Sequence, residues 1–292
     1  MEHIFVKNGE ISLSVNYEGH GVPILFLHGF PETKETWDAL LPILKKTLGE
    51  NVKKYLFVTM DLRGYGKSDK PKGVEKYKLE VLATDVAAVL LNFLQKGQKA
   101  VLIGHDWGGM IGWKCAEYYP ELTSALVTIN APYPDYFPKA FFSRQQFFKS
   151  WYIYFFQIPF LPEIISRLFG KYITNFLLTK DLGKTPEAKA AIERSERTRT
   201  CSIRPPLSYY RAWMGSFFKK TKKSEALKKI NIPTLVFAGA KDHYVSAHLT
   251  CPPTDHAPKT RSLVLNAHHW IHFEMPRKTS EEIVSFLSSH LL

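Results

Sequence analysis

Cysteine, acidic charge and long apolar runs are all scarce in this chain of 292 residues. Three cysteines are too few, and odd in number, for a disulfide framework, so a reducing compartment such as the cytoplasm is expected. The longest aromatic stretch, from Trp151 to Leu161, is much shorter than the roughly 20 residues that span a membrane. The first residues lack the layout of a signal peptide. Metal-ligand spacing and a dinucleotide-binding glycine pattern are missing as well, so neither a metal nor an organic cofactor is expected.

Basic residues outnumber acidic ones, and most of the excess lies in the middle of the chain. Between Asp135 and Glu225 there are 17 Lys and Arg but only 7 Asp and Glu. No signature of a nucleic-acid module accompanies this charge, so no nucleic-acid partner is expected. The simplest interpretation is a solvated basic face. Attraction to anionic membrane surfaces, as a peripheral association, or to carboxylated lipophilic substrates is the alternative. The sequence leaves open whether the chain is a monomer or a homodimer.

Strand patterns and helix patterns alternate along most of the chain, which indicates an α/β fold with a mostly parallel sheet. The alternation lapses between residues 134 and 225, where the sequence is basic, aromatic and helix-like. We therefore predict a core formed by residues 1–133 and 226–292, with a helical insertion at 134–225 that covers the carboxyl ends of the strands as a lid. The eight predicted strands begin near Ile4, Ile11, Pro23, Tyr55, Val101, Ala125, Pro233 and Ser262.

The stretch from Val101 to Met110 joins an apolar strand to a helix through a sharp turn. Asp106 lies at the centre of that turn, with Gly104 two residues before it and Gly108 two residues after it. The centre needs small neighbours, because its backbone is strained and a Cβ on either side would collide with it. An aspartate that merely caps the helix is the structural alternative, which the flanking glycines disfavour. The pattern matches the nucleophile elbow, usually written G-x-S-x-G, with aspartate in place of serine.

An aspartate at this position predicts attack on saturated carbon rather than on a carbonyl group. A carboxylate is a weak nucleophile toward carbonyls, but it can displace a leaving group from strained or activated sp³ carbon. The product of such an attack is an alkyl ester of the enzyme. Epoxides and alkyl halides are therefore the expected substrates, ahead of esters and amides.

Two further residues complete a nucleophile, acid and histidine series in chain order. Asp242 follows the strand from Leu235 to Ala238, and His269 follows the strand from Leu263 to Leu265. Both therefore belong at the carboxyl ends of strands, as Asp106 does. His269 is expected to take a proton from the water that attacks the ester, and Asp242 to fix the tautomer of His269. Two carboxylates also favour the protonated imidazole, so the pKa of His269 must stay low enough for it to act as a base.

With these motifs in place, the chain resembles the epoxide hydrolases of the α/β-hydrolase superfamily, with the dehalogenases as close cousins. The resemblance runs from His28 to Pro276 and implies a mostly parallel eight-stranded sheet. The segment from His28 to Pro31 resembles the H-G-x-P oxyanion loop, which implies that the backbone amides of Phe30 and Trp107 bind the developing oxyanion, with a candidate cis bond before the proline. The segment from His269 to Pro276 matches the histidine motif H-W-x-x-x-E-x-P.

The resemblance also implies two tyrosines in the lid, which protonate or stabilise the alkoxide that forms when an epoxide opens. The segment around Trp151 aligns Tyr152 with the first tyrosine, and Tyr209-Tyr210-Arg211 aligns Tyr210 with the second. Tyr154 and Tyr209 are the substitutes if the alignment is shifted. Lids are rich in aromatic residues, so a purely structural role for any of these tyrosines is the alternative.

The resulting hypothesis is an epoxide hydrolase that converts lipophilic epoxides and water to vicinal diols. An apolar substrate pocket is expected from several aromatic residues, with a place in the core of the lid as the structural alternative for some of them. A haloalkane or haloacid dehalogenase with the same nucleophile is the alternative, although Phe30 cannot donate to a halide as an asparagine would. A non-catalytic ligand-binding homologue is the remote alternative. The candidate pocket residues are Phe30, Trp37, Trp107, Trp151, Phe155 and Phe156.

Overall fold

The chain starts with a hairpin and continues into a parallel sheet. The computed structural model describes residues 1–137, 141, 143–183, 189–190, 193, 203–217, 229–252 and 255–290. Within these residues eight strands form one sheet in the order β1-β2-β4-β3-β5-β6-β7-β8, which confirms the predicted architecture. The strands are β1 (Glu2–Asn8), β2 (Ile11–Gly19), β3 (Val22–Leu27), β4 (Tyr55–Met60), β5 (Ala100–His105), β6 (Thr123–Ile129), β7 (Thr234–Gly239) and β8 (Thr260–Leu265).

The pairing pattern brings the carboxyl ends of the central strands to one edge. β1 pairs antiparallel with β2, and Asn8 lies opposite Ile11 across the turn, as the Asn8-Gly9 signal predicts. β2 is antiparallel to β4, whereas the pairs from β4 through β3, β5, β6 and β7 to β8 are parallel. β5 is buried along its whole length. Its central position explains the continuous apolar run, because both faces of the strand are covered by helices.

Helices cover both faces of the sheet and enclose two apolar clusters. One cluster includes Leu82 and Ile111, and the other includes Leu44 and Phe286. After β3 the chain forms a 3₁₀ turn (Lys34–Asp38) and then a separate helix, because Pro42 lies in the first turn of that helix and favours a new start there. The core helices are α1 (Leu41–Leu48), α2 (Leu79–Phe93), α3 (Trp107–Tyr118), α8 (Ala247–Thr250), α9 (Ile271–Glu274) and α10 (Pro276–His290).

The insertion, defined as residues 134–225, contributes helices between β6 and β7. Four are described: α4 (Arg144–Lys149), α5 (Trp151–Phe155), α6 (Leu161–Leu182) and α7 (Arg204–Phe217). The predicted end of the insertion at Glu225, like Cys201 within it, lies outside the described residues. The domain limits therefore stay a prediction. Among the described residues, no helix has both the length and the apolar character needed to cross a bilayer.

Candidate active site

The turn between β5 and α3 holds Asp106 in an unusual backbone conformation. Its φ of 49° and ψ of −119° lie in a region that non-glycine residues rarely adopt. The neighbouring glycines allow this turn, as predicted. A Cβ on Gly104 would lie 2.5 Å from the carbonyl oxygen of Gly108, and a Cβ on Gly108 would overlap the carbonyl group of Leu27. The elbow therefore projects the Asp106 side chain from the carboxyl edge of the sheet.

The two oxygens of the Asp106 carboxylate have different surroundings. Oδ2 accepts a hydrogen bond of 2.9 Å from the backbone amide of Phe30. Oδ1 lies 3.9 Å from Nε2 of His269. The Phe30–Pro31 peptide bond is cis, as the resemblance implied. A Cβ on Gly29 would lie 2.8 Å from Oδ2, so this loop can approach the carboxylate only with glycine at that position. One oxygen is thus held by the loop, and the other is left facing the histidine.

His269 and Asp242 form a buried pair beside this carboxylate. Nδ1 of His269 lies 2.8 Å from Oδ2 of Asp242. The other oxygen of Asp242 accepts hydrogen bonds from the backbone amides of Tyr244, at 2.6 Å, and Val245, at 3.0 Å. The acid is therefore fixed from both sides. Its partner His269 is oriented with Nε2 toward Asp106, which is the arrangement expected for a base held by its acid.

The charges of this pair change both pKa values. Burial opposes ionisation of Asp242, but the attraction of His269 and the bound amides leave the pKa of that carboxyl below its usual range. Burial alone would lower the pKa of His269, yet the carboxylates of Asp242 and Asp106 raise this pKa to about 9. The histidine is thus held as imidazolium in the free site at neutral pH. It can serve as a base only after a neighbouring negative charge is removed.

Tyr152 and Tyr210 bring two phenols from the insertion to the region of Asp106. Their ring centroids lie 5.9 Å apart, and the Tyr210 ring is 5.0 Å from Trp107 and 5.6 Å from Phe30. Burial raises the pKa of both phenols well above the usual value, and the negative charge of Asp106 raises both pKa values further. Both hydroxyls therefore remain protonated donors at any physiological pH.

The two substitute tyrosines have other environments. The hydroxyl of Tyr209 donates a 2.5 Å hydrogen bond to the backbone carbonyl of Arg63, within the core. Tyr154 packs against Phe141 and Phe147 rather than against the site. Successive residues on a helix point about 100° apart, so the adjacent Tyr209 and Tyr210 face different directions. Tyr152 and Tyr154 are two residues apart and point to nearly opposite sides of α5. The geometry favours Tyr152 and Tyr210.

Two of the predicted pocket residues have different surroundings. Trp37 is fully buried in the second core cluster, where it packs against Phe26 and His272, so the structure places it in the core rather than at the site. Trp151 is 65% exposed, on the opposite side of α5 from the packed Ile153, and its ring lies 6.5 Å from the ring of Tyr152. A substrate-binding role of Trp151 therefore stays a prediction.

The remaining aromatic predictions lie at the site or beside it. Phe156 packs against Phe30 at 5.9 Å and against Tyr210 at 5.0 Å. A cavity of about 960 Å³ opens next to this contact, between the insertion and the core, and Phe155 lines it. Asp106 is not among the residues that line this cavity, but Phe30, whose amide donates to the Asp106 carboxylate, forms part of its wall together with Phe156. Its charged lining comprises Glu32, Lys70, Lys72, Glu163, Arg167, Arg204 and Arg211.

Sequence reasoning missed two residues that fix the histidine segment. Asn130, at the end of β6 with a φ of 44°, donates from Nδ2 to the carbonyl oxygens of His268 and His269 and accepts from the amide of Gly239. Asp181, at the end of α6, accepts a 3.3 Å hydrogen bond from the amide of His269. A positive φ at asparagine is a known local preference. Nothing in the local sequence around Asp181 indicates this contact.

A third missed feature is a buried polar cluster beneath the histidine. Glu32 lies 3.0 Å from Nδ1 of His105, and its other oxygen accepts from the Thr36 hydroxyl. Burial opposes the charge of Glu32, but His105 and His272 hold its pKa well below the usual range. Ligand atoms of Glu32, His105 and His272 lie within 4.8 Å of one another, as in a metal site. Since Glu32 and His105 already hydrogen-bond each other, and Nε2 of His105 contacts the carbonyl oxygen of His269, we interpret the cluster as a support for the histidine segment.

Comparisons with known proteins show which family and which solved structures this chain is similar to. Residues 22–276 match the α/β hydrolase fold family. The chain is 30% identical to epoxide hydrolase 3 of Xenopus tropicalis, over 100% of this chain and 79% of that protein. It is 31% identical to human epoxide hydrolase 4, over 98% of this chain and 78% of that protein. The crystal structure of a Bacillus megaterium epoxide hydrolase in complex with an inhibitor superposes with a TM-score of 0.78, at 26% identity, over 98% of this chain and 100% of the other.

Proposed function

Since the chain belongs to the epoxide hydrolases of the α/β hydrolase fold family, which are hydrolases acting on ether bonds, we propose that it converts lipophilic epoxides to vicinal diols through a covalent ester on Asp106. The observation that carries this proposal is the asymmetric environment of the Asp106 carboxylate. One oxygen accepts the amide of Phe30, and the other faces Nε2 of His269 at 3.9 Å without a hydrogen bond between them. The two oxygens therefore differ before substrate binds: we assign Oδ1 as the nucleophile and Oδ2 as the oxygen that later becomes the oxyanion.

In the first step, Oδ1 of Asp106 attacks an epoxide carbon and the carbon–oxygen bond of the ring breaks. The departing oxygen becomes an alkoxide and takes a proton from Tyr152 or Tyr210. These phenols have raised pKa values while Asp106 is charged. Attack moves that negative charge from Asp106 to the substrate oxygen. The charge of Asp106 therefore no longer opposes loss of a proton from the phenols at the moment when the alkoxide needs one.

In the second step, His269 removes a proton from water, and the water oxygen attacks the ester carbon of Asp106. The resulting oxyanion forms on Oδ2, where the Phe30 amide already donates; the Trp107 amide at the start of α3 is the expected second donor. Collapse breaks the ester bond, and the departing alkoxide takes the proton that His269 removed from water, so the product leaves as a diol. The proton of the regenerated Asp106 carboxyl group restores the tyrosine that donated in the first step. Alkylation has by then neutralised Asp106, so the pKa of His269 falls from about 9 toward a value suited to a base.

We assign the insertion the role of a lid. Its helices α5 and α7 carry the two tyrosines, which pack against Phe30 and Trp107 of the core. The two phenols also bear on the choice between the two candidate reactions. Opening an epoxide produces an alkoxide that needs a proton, whereas a departing halide needs none. The two phenols therefore favour epoxides over haloalkanes, the alternative substrates that the same nucleophile could attack.

A trapping experiment tests this mechanism. In a His269→Gln variant, alkylation should proceed while ester hydrolysis stalls, so mass spectrometry should find an adduct on the peptide that contains Asp106. His268→Gln is the matched control, because its side chain contacts Glu274 instead of the catalytic pair, and it should turn over without accumulating the adduct. Absence of an adduct with a range of reactive epoxides and chloroalkanes would contradict the mechanism. An adduct with chloroalkanes alone would favour the dehalogenase.

A further inference from the structure

Exposed apolar side chains are concentrated on one part of the insertion. Of the 19 large apolar residues that are exposed in the described part of the chain, 12 lie between residues 147 and 176. Soluble proteins rarely leave so many neighbouring apolar groups in water, and such a patch marks an interaction surface. We call these residues the apolar face. They are Phe147, Phe148, Trp151, Ile158, Phe160, Leu161, Ile164, Leu168, Phe169, Tyr172, Ile173 and Phe176, of which Ile173 also lines the cavity.

Helix α6 has two sides that are both largely apolar. Ile165, Gly170 and Thr174 line the cavity toward the core, and Leu178 and Leu182 pack against the histidine segment near Trp270. The outward side exposes Leu161, Ile164, Leu168, Tyr172 and Phe176, whose spacing of three and four residues forms one continuous stripe along the helix. An ordinary surface helix has charged residues on this side, so the stripe is adapted to an apolar environment.

The charge around the apolar face identifies the kind of partner. The insertion carries 17 basic and 7 acidic residues from Asp135 to Glu225, and the cations Arg167 and Lys180 are exposed on α6 itself. The two acids of α6 do not balance them outward, because Glu163 pairs with Arg211 and Asp181 is buried. A second copy of this chain would bring the exposed cations of two α6 helices together, and their repulsion would oppose the contact. A bilayer with anionic headgroups offers both an apolar layer and negative charge.

We propose that the apolar face docks on the surface of an anionic membrane, with the stripe of α6 inserted at the level of the headgroups. The inward side of the same helix lines the cavity next to Phe30 and Phe156. A lipophilic epoxide dissolved in the bilayer can thus reach the cavity around a single helix, without crossing water. The docking itself does not depend on the proposed chemistry.

Vesicle flotation tests the docking, with phosphatidylcholine vesicles prepared with and without phosphatidylserine. The wild-type chain should float with the phosphatidylserine vesicles, less so at high salt, and Leu168→Glu should reduce the partition about tenfold. Leu91→Glu is the matched control, because Leu91 is 63% exposed on α2 and Leu168 is 64% exposed on α6. The control should float like the wild type. Hydrolysis of a water-soluble epoxide without vesicles, unchanged in both variants, would show that both are folded.

Three results would overturn the proposal. The first is no flotation with phosphatidylserine vesicles. The second is flotation that Leu168→Glu and Leu91→Glu leave equally intact, since charge alone would then account for it. The third is a concentration-dependent dimer in sedimentation that only Leu168→Glu abolishes, which would identify a second copy as the partner.

Discussion

Oδ2 of Asp181 accepts a hydrogen bond from the backbone amide of His269, at 3.3 Å, and so joins the long helix of the insertion to the proposed base. The other oxygen of Asp181 lies 3.0 Å from Nδ1 of His243, the residue that follows Asp242. One buried carboxylate therefore links the segments that carry the acid and the base. The position of α6 and the alignment of the pair are coupled through this contact.

We expect Asp181→Ala to lower kcat by about tenfold to a hundredfold, because small displacements of a catalytic group have costs of this order. Asp181→Asn keeps an acceptor for the amide and should retain most of the activity. Both variants remove a charge that helps to raise the pKa of His269, so the pH–rate profile should shift to lower pH in each. Equal kcat and an unshifted profile in both variants would show that the contact has no role in positioning.

The pKa of His269 should fall when Asp106 loses its charge. Asp106→Asn imitates the neutral ester, and the pKa of His269 should drop from about 9, although Asp242, whose effect on this pKa is larger, continues to raise it. Titration of the imidazole by NMR measures this directly. Glu50→Gln, which removes an exposed charge, is the control and should leave the pKa unchanged. A His269 pKa near 9 in Asp106→Asn would mean that Asp242 alone sets it.

Stability should depend on the protonation of His269 in a defined direction. Its pKa is raised by folding from 6.5 to about 9, so its contribution is fully present below pH 6.5 and is lost as the pH rises through 9. The pKa of Asp242 is lowered, so that carboxyl remains ionised throughout this window. The difference in free energy of unfolding between the wild type and His269→Gln should shrink by about 3 kcal/mol between pH 6 and pH 10 in denaturant titrations. His248→Gln, at an exposed histidine, should show no such trend.

Four tyrosine substitutions should separate chemistry from structure. Tyr152→Phe and Tyr210→Phe should each slow formation of the ester about 10²-fold or more in single-turnover experiments, because each removes a proton donor. Tyr209→Phe removes the hydrogen bond to Arg63 and should cost about 1 kcal/mol of stability instead. Tyr154→Phe should change neither quantity. An unimpaired rate in the Tyr152→Phe and Tyr210→Phe double variant would contradict the assignment.

The charged lining of the cavity leads to an expectation about substrates. Arg211 is paired with Glu163, but Lys72 and Arg167 are exposed at its edge, so an epoxide with a remote carboxylate should be favoured. A fatty-acid epoxide should show a higher kcat/KM than its methyl ester at low salt, and the difference should narrow at high salt. Equal kcat/KM values for the acid and the ester at every salt concentration would show that only the apolar part of the substrate is recognised.

The sequence was sufficient wherever the signal is local. A continuous apolar run specifies a buried parallel strand, and the glycines around Asp106 specify a turn that no bulkier neighbour allows. The strands could therefore be predicted from short segments, as could the three residues Asp106, Asp242 and His269, which the structure brings together. Each of these residues follows a predicted parallel strand, so they were expected to lie close together, because the carboxyl ends of parallel strands meet at one edge of the sheet.

Only the tertiary structure decided which face of an element a side chain occupies. Tryptophan is a residue type that commonly lines pockets, yet Trp37 is buried in the core and Trp151 is largely exposed to solvent. Asp181 lies far from His269 in sequence, and its contact depends on where the end of α6 docks. The pKa of His269 likewise results from charges gathered from separate segments. Local propensity is set by neighbours along the chain, whereas burial and charge are set by neighbours in space.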